Sequence, residues 1–85
     1  MRNHVTHIDV QNAFRGVARV TGTDFSTKTG CRFKVTLDFH GKVVTVQQRK
    51  SDGVLFVNCA GRCAIIGRNP LSIRNSVVQA LRAQK

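Results

Sequence analysis

Lysine and arginine side chains are the residues of this 85-residue sequence that most clearly indicate a chemical role. The chain carries 14 Lys and Arg residues against four Asp and no Glu, so its formal net charge is +10. Ammonium and guanidinium groups neutralise phosphates, and a surface of this sign speeds encounter with anionic partners. The sequence therefore predicts binding to nucleic acid, with no distinction between DNA and RNA. The alternatives are a membrane surface, an acidic protein or a basic but inert surface.

A two-stranded hairpin is predicted to carry many of these cations. Between residues 31 and 39 apolar and polar side chains alternate, which is typical of a strand buried on one face. His40–Gly41 follows as a two-residue turn, and residues 42–49 return as a second strand. The apolar positions of the first strand are Cys31, Phe33, Val35, Leu37 and Phe39.

The short turn also predicts which residues face each other. Phe33 is expected opposite Gln48 on the core face, and Lys34 opposite Gln47 on the other face. Arg32 is expected directly opposite Arg49. Two opposed arginines cost energy unless an anion lies between them, and such a local conflict is typical of a binding surface.

Further elements are predicted around this hairpin. Apolar spacing indicates a helix over residues 8–20, although residues 17–21 could equally extend as a strand. Residues 22–30 read as a loop, residues 54–58 as a third strand, and residues 60–69 as a connector with room for a short strand.

A C-terminal helix is predicted to begin at Asn69, a good capping residue, with Pro70 in the first helical position. The predicted fold is α+β: one small domain, residues 1–85, with element order α-β-β-β-α. Both helices pack on one face of a three-stranded antiparallel sheet and leave the other face open. Residues 1–7 are interpreted as a terminus with freedom to move. The apolar face of the C-terminal helix is assigned to Ile73, Val77, Ala80 and Leu81.

The open sheet face is the predicted nucleic-acid site, with further phosphate contacts near the C-terminal helix. A loop of two or four residues after Arg49 would place Phe56 on the same face as Gln47, where its ring could stack on a base. A three-residue loop would bury Phe56 instead. The predicted binding residues are Arg32, Lys34, Lys42, Gln47, Arg49, Lys50, Phe56, Arg62, Arg68 and Arg74.

Metal binding and catalysis are the less favoured interpretations. Cys59 and Cys63, with Cys31 and either His40 or His7, could hold zinc, but buried thiols explain the cysteines more simply. Four scattered Asp do not form the carboxylate cluster of a metal-dependent nuclease. We therefore expect a non-enzyme without metal or cofactor, with a His/Lys phosphodiester cleavage site as the remaining catalytic alternative.

Composition also bears on location and partners. An odd number of cysteines, no apolar run of roughly 20 residues and no apolar signal region predict a cytoplasmic protein without a membrane span. So small a chain is compatible with a homodimer and with a phage or viral origin. The rival function is a viral or phage-type protein that binds and modulates an acidic host protein.

Three partial resemblances to known families concern one short segment and the order of the elements. Residues 65–74 look like the isoleucine-glycine-x-x-glycine stretch of a KH domain, with Pro70 in place of the second glycine. The element order resembles that of double-stranded-RNA-binding domains and of phage-integrase arm-binding domains. These resemblances cover ten residues or element order alone, and no family is assigned from them.

Overall fold

The computed structural model of the chain describes residues 5–25, 30–68 and 72–83. Within them, a five-stranded antiparallel sheet has the order β1-β2-β3-β4-β5, and two helices pack on one of its faces. The elements along the chain are α1 His7–Ala13, β1 Arg19–Asp24, β2 Cys31–Phe39, β3 Lys42–Arg49, β4 Leu55–Cys59, β5 Arg62–Gly67 and α2 Ile73–Ala83.

The predicted three-stranded sheet is wrong, because two edge strands complete it, although the class remains broadly α+β. β1 lies where the sequence predicted the end of a helix and a loop, and β5 lies in the predicted connector. Each edge strand has only one strand neighbour, and five of the six residues of β1 are exposed. Edge strands of this kind lack the apolar alternation that marks β2 and β3.

The helix predicted over residues 8–20 is correspondingly shorter. α1 ends at Ala13, and the amides of Val17 and Ala18 donate to the Phe14 carbonyl at 3.0 and 2.9 Å. Gly16 adopts a φ of 76°, a left-handed conformation that an L side chain disfavours. The chain therefore turns here and enters β1 instead of continuing as a helix.

The β2–β3 hairpin forms the centre of the core. Leu37 pairs with Val44, and Phe33 pairs with Gln48, as predicted. Gln48 is buried among apolar residues, and its Nε2 donates to the Gly53 carbonyl at 3.3 Å, which satisfies the buried amide. The core cluster comprises Val10, Phe14, Phe33, Val35, Leu37, Val44, Val46, Leu55, Val57, Cys59 and Val77.

Both helices begin at a side-chain cap. Thr6 and Asp9 form a reciprocal capping box at α1, in which the Thr6 amide donates to Asp9 Oδ2 at 2.8 Å. At α2 the Asn75 amide donates to Ser72 Oγ at 3.3 Å. The predicted cap at Asn69 and Pro70 lies outside the described residues. Neither described helix has the length and hydropathy that a bilayer crossing requires.

The apolar face predicted for α2 is confirmed. Val77 is fully buried, and the other three predicted residues are partly buried against the core. α2 packs on β4 and β5, so these contacts place the helix over the sheet edge opposite β1.

Two hairpin tips have two-residue turns with both residues at positive φ. The predicted turn at His40–Gly41 is confirmed, with φ of 53° and 78°. Ala60–Gly61 repeats this geometry between β4 and β5, with φ of 55° and 79°. Positive φ at both positions matches the right-handed twist of a hairpin. It costs about 1–2 kcal/mol at an alanine, whose Cβ crowds the following carbonyl.

We expect Ala60→Gly to raise the free energy of unfolding by about 1 kcal/mol, because glycine adopts this φ without that crowding. Chemical denaturation monitored by circular dichroism measures the change. Ala64→Gly, in the adjacent extended strand, is the matched control and should lower stability. A fall in stability with both substitutions would contradict a strained Ala60.

Candidate nucleic-acid interface

The sheet face opposite the helices presents side chains in registered rows. The pairing of all five strands aligns the residues of each row, with adjacent strands about 4.8 Å apart. The first row, near the β3–β4 turn, contains Asp24, Lys34, Gln47, Phe56 and Ile65. The second, beside it, contains Thr36, Thr45, Asn58 and Cys63.

Phe56 lies between Gln47 and Ile65 in the first row, and with Ile65 it forms the apolar end of that row. The Arg49 amide donates to the Val54 carbonyl at 2.9 Å, so four residues, 50–53, lie between the last hydrogen-bonded residues of this hairpin. Phe56 pairs with Gln47, so the prediction that they share a face is confirmed. Phe56 is half-buried and Ile65 beside it is 70% exposed. An aromatic ring set among strand neighbours, with an amide on one side and an aliphatic chain on the other, can receive a flat base.

The second row consists of small polar side chains held close to the sheet. Thr45 Oγ1 donates to the Asn58 carbonyl at 3.2 Å, which ties β3 to β4 through a side chain. Asn58 and Cys63 pair in the same row. These side chains add no charge to the face, and their hydroxyl and amide groups can contact base edges.

A β-bulge in β2 changes the arrangement predicted around Arg32. Cys31 pairs with Arg49 and Phe33 with Gln48, so Arg32 is the extra residue and does not lie directly opposite Arg49. The predicted arginine pair is therefore wrong. Cys31, predicted on the core face, lies on the same face as Arg49, and its Sγ donates to Gln47 Oε1 at 3.5 Å. This contact orients the Gln47 carboxamide beside Phe56.

Arg49 is engaged within its own turn. Its Nε donates to Asp52 Oδ1 at 3.2 Å and its Nη2 to Asp52 Oδ2 at 2.8 Å, a two-point ion pair. Asp52 Oδ1 also accepts from the Val54 amide at 3.1 Å. The guanidinium predicted to hold a phosphate thus supports the β3–β4 turn.

Carboxylates also moderate the charge of this face near β1. Asp24 pairs with Lys34, and Asp38 pairs with Arg19. Opposite charges facing each other across strands are mutually stabilising, and they reduce the attraction of that part of the sheet for phosphate. The side of the face formed by β3, β4 and β5 has no carboxylate in its rows among the described residues.

The remaining predicted cations lie around the edges of the sheet. Lys50 is exposed in the β3–β4 turn, and Arg68 is exposed directly after β5. Lys42 and Arg62 begin their strands at the opposite end, beside the two hairpin tips. Arg74 is exposed in the first turn of α2, away from the rows.

Two residues near these cations, Ile65 and Arg82, were not predicted from the sequence. Ile65 joins the first row because β5 pairs with β4, and the apolar run at residues 64–66 does not alternate with polar residues. Arg82 lines a cleft at the hairpin end together with His40, Lys42 and Arg62. His40 and Lys42 are close in the sequence, but Arg62 and Arg82 are distant from them, so no local pattern joins all four.

The cysteines do not converge in the way that the zinc interpretation requires. Cys59 pairs with Arg62 and Cys63 with Asn58, so the two thiols lie on opposite faces of the sheet. Within the described residues, no three His, Cys, Asp or Glu side chains are grouped to hold a metal ion.

Comparisons with protein-family models, with curated proteins and with solved structures find no significant match to this chain.

The Asp52 turn predicts a pH-dependent stability. The hydrogen bond from the Val54 amide, with the Arg49 contacts, holds the pKa of the Asp52 carboxyl below its usual range, against a smaller opposing effect of desolvation. A lowered folded-state pKa stabilises the fold fully above the unfolded-state pKa of about 3.9. That stabilisation is lost as the pH falls through the lower folded-state pKa.

We therefore expect Asp52→Asn to be less stable than the parent protein at about pH 6, with a difference that shrinks below about pH 4. Denaturation curves measured across this range test it. Ser51→Ala changes the same turn without removing a titrating group, so its effect should not follow this pH dependence. Parallel stability profiles for Asp52→Asn and the parent would contradict the role of the carboxylate.

Proposed function

We propose that this protein binds single-stranded nucleic acid, DNA or RNA, on the uncovered face of its sheet. The observation that carries the proposal is the first row, in which Phe56 lies beside Gln47 and Gln47 lies beside Lys34. A ring, an amide and a cation can together stack on a base, contact its edge and neutralise a phosphate.

Single-stranded ligands are favoured by the position of the ring. Phe56 is half-buried between its neighbours Gln47 and Ile65 in the first row, so part of its ring is accessible at the sheet surface. In a duplex the base faces are covered by their stacked neighbours, whereas unpaired bases can stack on protein aromatics. Both helices lie behind the sheet, and they leave this face uncovered.

The charge distribution favours a path along β3 and β4. Asp24 and Asp38 disfavour phosphate on the β1 side of Lys34, so a phosphate contact with Lys34 is favoured on the side of Gln47 and β3. At either end of β3 and β4 lie cations that attract it: Lys50 and Arg68 at one end, and Lys42 at the other. A nucleic-acid strand bound along β3 and β4 would place its bases over the two rows. The net charge of +10 supplies the long-range attraction.

Binding can be measured by fluorescence anisotropy with labelled single-stranded DNA and RNA of about 12 nucleotides, within the site sizes of roughly 4–16 nucleotides seen in small single-strand-binding folds. We expect Phe56→Ala to weaken binding by about tenfold, since base stacking contributes about 1–3 kcal/mol. Phe25→Ala is the matched control, because Phe25 is 54% exposed but packs against His7 on the helix side.

Lys34→Gln separately tests the phosphate contact. Its loss should reduce the slope of log affinity against log salt by about one. Arg15→Gln removes the same charge beside α1 and should leave that slope closer to the parent value. Equal affinity of the parent for duplex and single strand, or unchanged binding by Phe56→Ala, would exclude this interface. Binding to acidic polypeptide but to no oligonucleotide would support the rival function.

A further inference from the structure

A cleft of about 1010 Å³ lies at the hairpin end of the molecule. The tips of the β2–β3 and β4–β5 hairpins form one side, and the second half of α2 forms the other. Its volume is at the upper end of the range of small-molecule sites in proteins. The cleft is distinct from the two rows of the uncovered face, because no residue of either row lines it.

Cationic side chains surround an apolar floor in this cleft. Lys42, Arg62 and Arg82 line it from three separate elements, β3, β5 and α2. None of the four Asp is among its lining residues. A phosphate carries between one and two negative charges near neutral pH and accepts several hydrogen bonds, so a cleft lined by three cations suits a phosphate better than it suits a carboxylate.

The floor and one wall are apolar and aromatic. Val78 and Leu81 of α2 contribute aliphatic surface. Phe39 and His40 contribute rings whose centroids are 4.3 Å apart with an interplanar angle of 63°. Phe39 also packs edge-on against the buried Phe14, at 5.9 Å, which anchors the wall to the core. Such a wall can contact a flat, largely apolar ring system.

Two hairpin turns lie at the same cleft. His40 and Ala60 are the non-glycine residues with positive φ among those described, and both line the cleft. Both values belong to the two-residue hairpin turns, where the twist of the flanking strands favours positive φ. The two turns place Lys42 and Arg62 at the start of their strands, beside the cleft.

We propose that the cleft binds a nucleoside monophosphate group, with the phosphate held by Lys42, Arg62 and Arg82 and the base against Phe39 and His40. Two sources carry this chemistry: a free mononucleotide, and the phosphorylated end of a nucleic-acid strand. Only the second source depends on the function proposed above. Val43 is 68% exposed, lies on the uncovered face and also lines the cleft. The cleft therefore borders this face, and a nucleic-acid strand bound there could place its end in the cleft.

Isothermal titration of the full chain with AMP, adenosine and inorganic phosphate, at about 150 mM salt to screen non-specific attraction, tests the site. AMP should bind about tenfold more tightly than either fragment, since only AMP engages both the cations and the apolar wall. In parallel, oligonucleotides with and without a terminal phosphate distinguish the sources. Binding of AMP supports the free ligand. A preference for the phosphorylated oligonucleotide without AMP binding supports the strand end. If the protein shows neither AMP binding nor this preference, the proposal is overturned.

Variants of α2 locate the binding. Arg82→Gln should weaken AMP or phosphorylated-strand binding by about tenfold, the loss expected for one charge-assisted contact. Arg74→Gln makes the same charge change on the same helix outside the cleft and should have little effect. Equal losses in both variants would show non-specific attraction and overturn the site. If circular dichroism shows that Arg82→Gln reduces the helix content, Lys42→Gln on β3 provides the same test without changing α2.

Phe56→Ala separates this proposal from the preceding one. It should leave AMP binding unchanged, because Phe56 does not line the cleft. Loss of oligonucleotide stacking with intact AMP binding would confirm two sites. AMP binding abolished by Phe56→Ala would place the nucleotide on the sheet face and contradict the cleft.

Discussion

The two-residue turn at His40–Gly41 sets the register of the central β2–β3 hairpin, and the helix layer packs on the face that this register creates. It pairs Phe39 with Lys42 and thereby directs Leu37 and Val44 to the same face. A slip of one residue would turn every apolar side chain of one strand towards water, so turn and alternation enforce the same register. The helices pack on the apolar face that results, and the opposite face remains uncovered because the same period places polar side chains there.

The few carboxylates shape the surface more than their number suggests. Asp9 caps α1, Asp52 binds Arg49 within a turn, and Asp24 and Asp38 face cations near β1. Each Asp therefore compensates a local charge or an orphan amide. The excess positive charge remains chiefly at the two ends of β3 and β4 and along α2, and the proposed sites lie on or between these regions.

Prediction from sequence succeeded where a strand has neighbours on both sides and a helix layer above. The pairing of Lys34 with Gln47 follows from period two and the two-residue turn, and the shared face of Gln47 and Phe56 follows once the loop has an even number of residues. The three-stranded sheet was wrong because β1 and β5, which the sequence allowed only as alternatives, are edge strands with few apolar residues. Prediction also failed at Arg32, because a bulge depends on how β2 fits its neighbours and leaves no mark in the alternation.

The net charge and the two faces of the central hairpin follow from the sequence, since these depend on composition and on residues close together in the chain. The face of Phe56 depends on the length of the β3–β4 loop, which the sequence left open and the pairing with Gln47 settles. The five-stranded sheet and the cleft were decided only by the tertiary structure. Lys42, Arg62 and Arg82 follow one another at intervals of twenty residues, and they line one cleft because β5 joins the sheet edge and α2 packs on it. Contacts between such distant residues depend on the packing of whole elements, which no local pattern encodes.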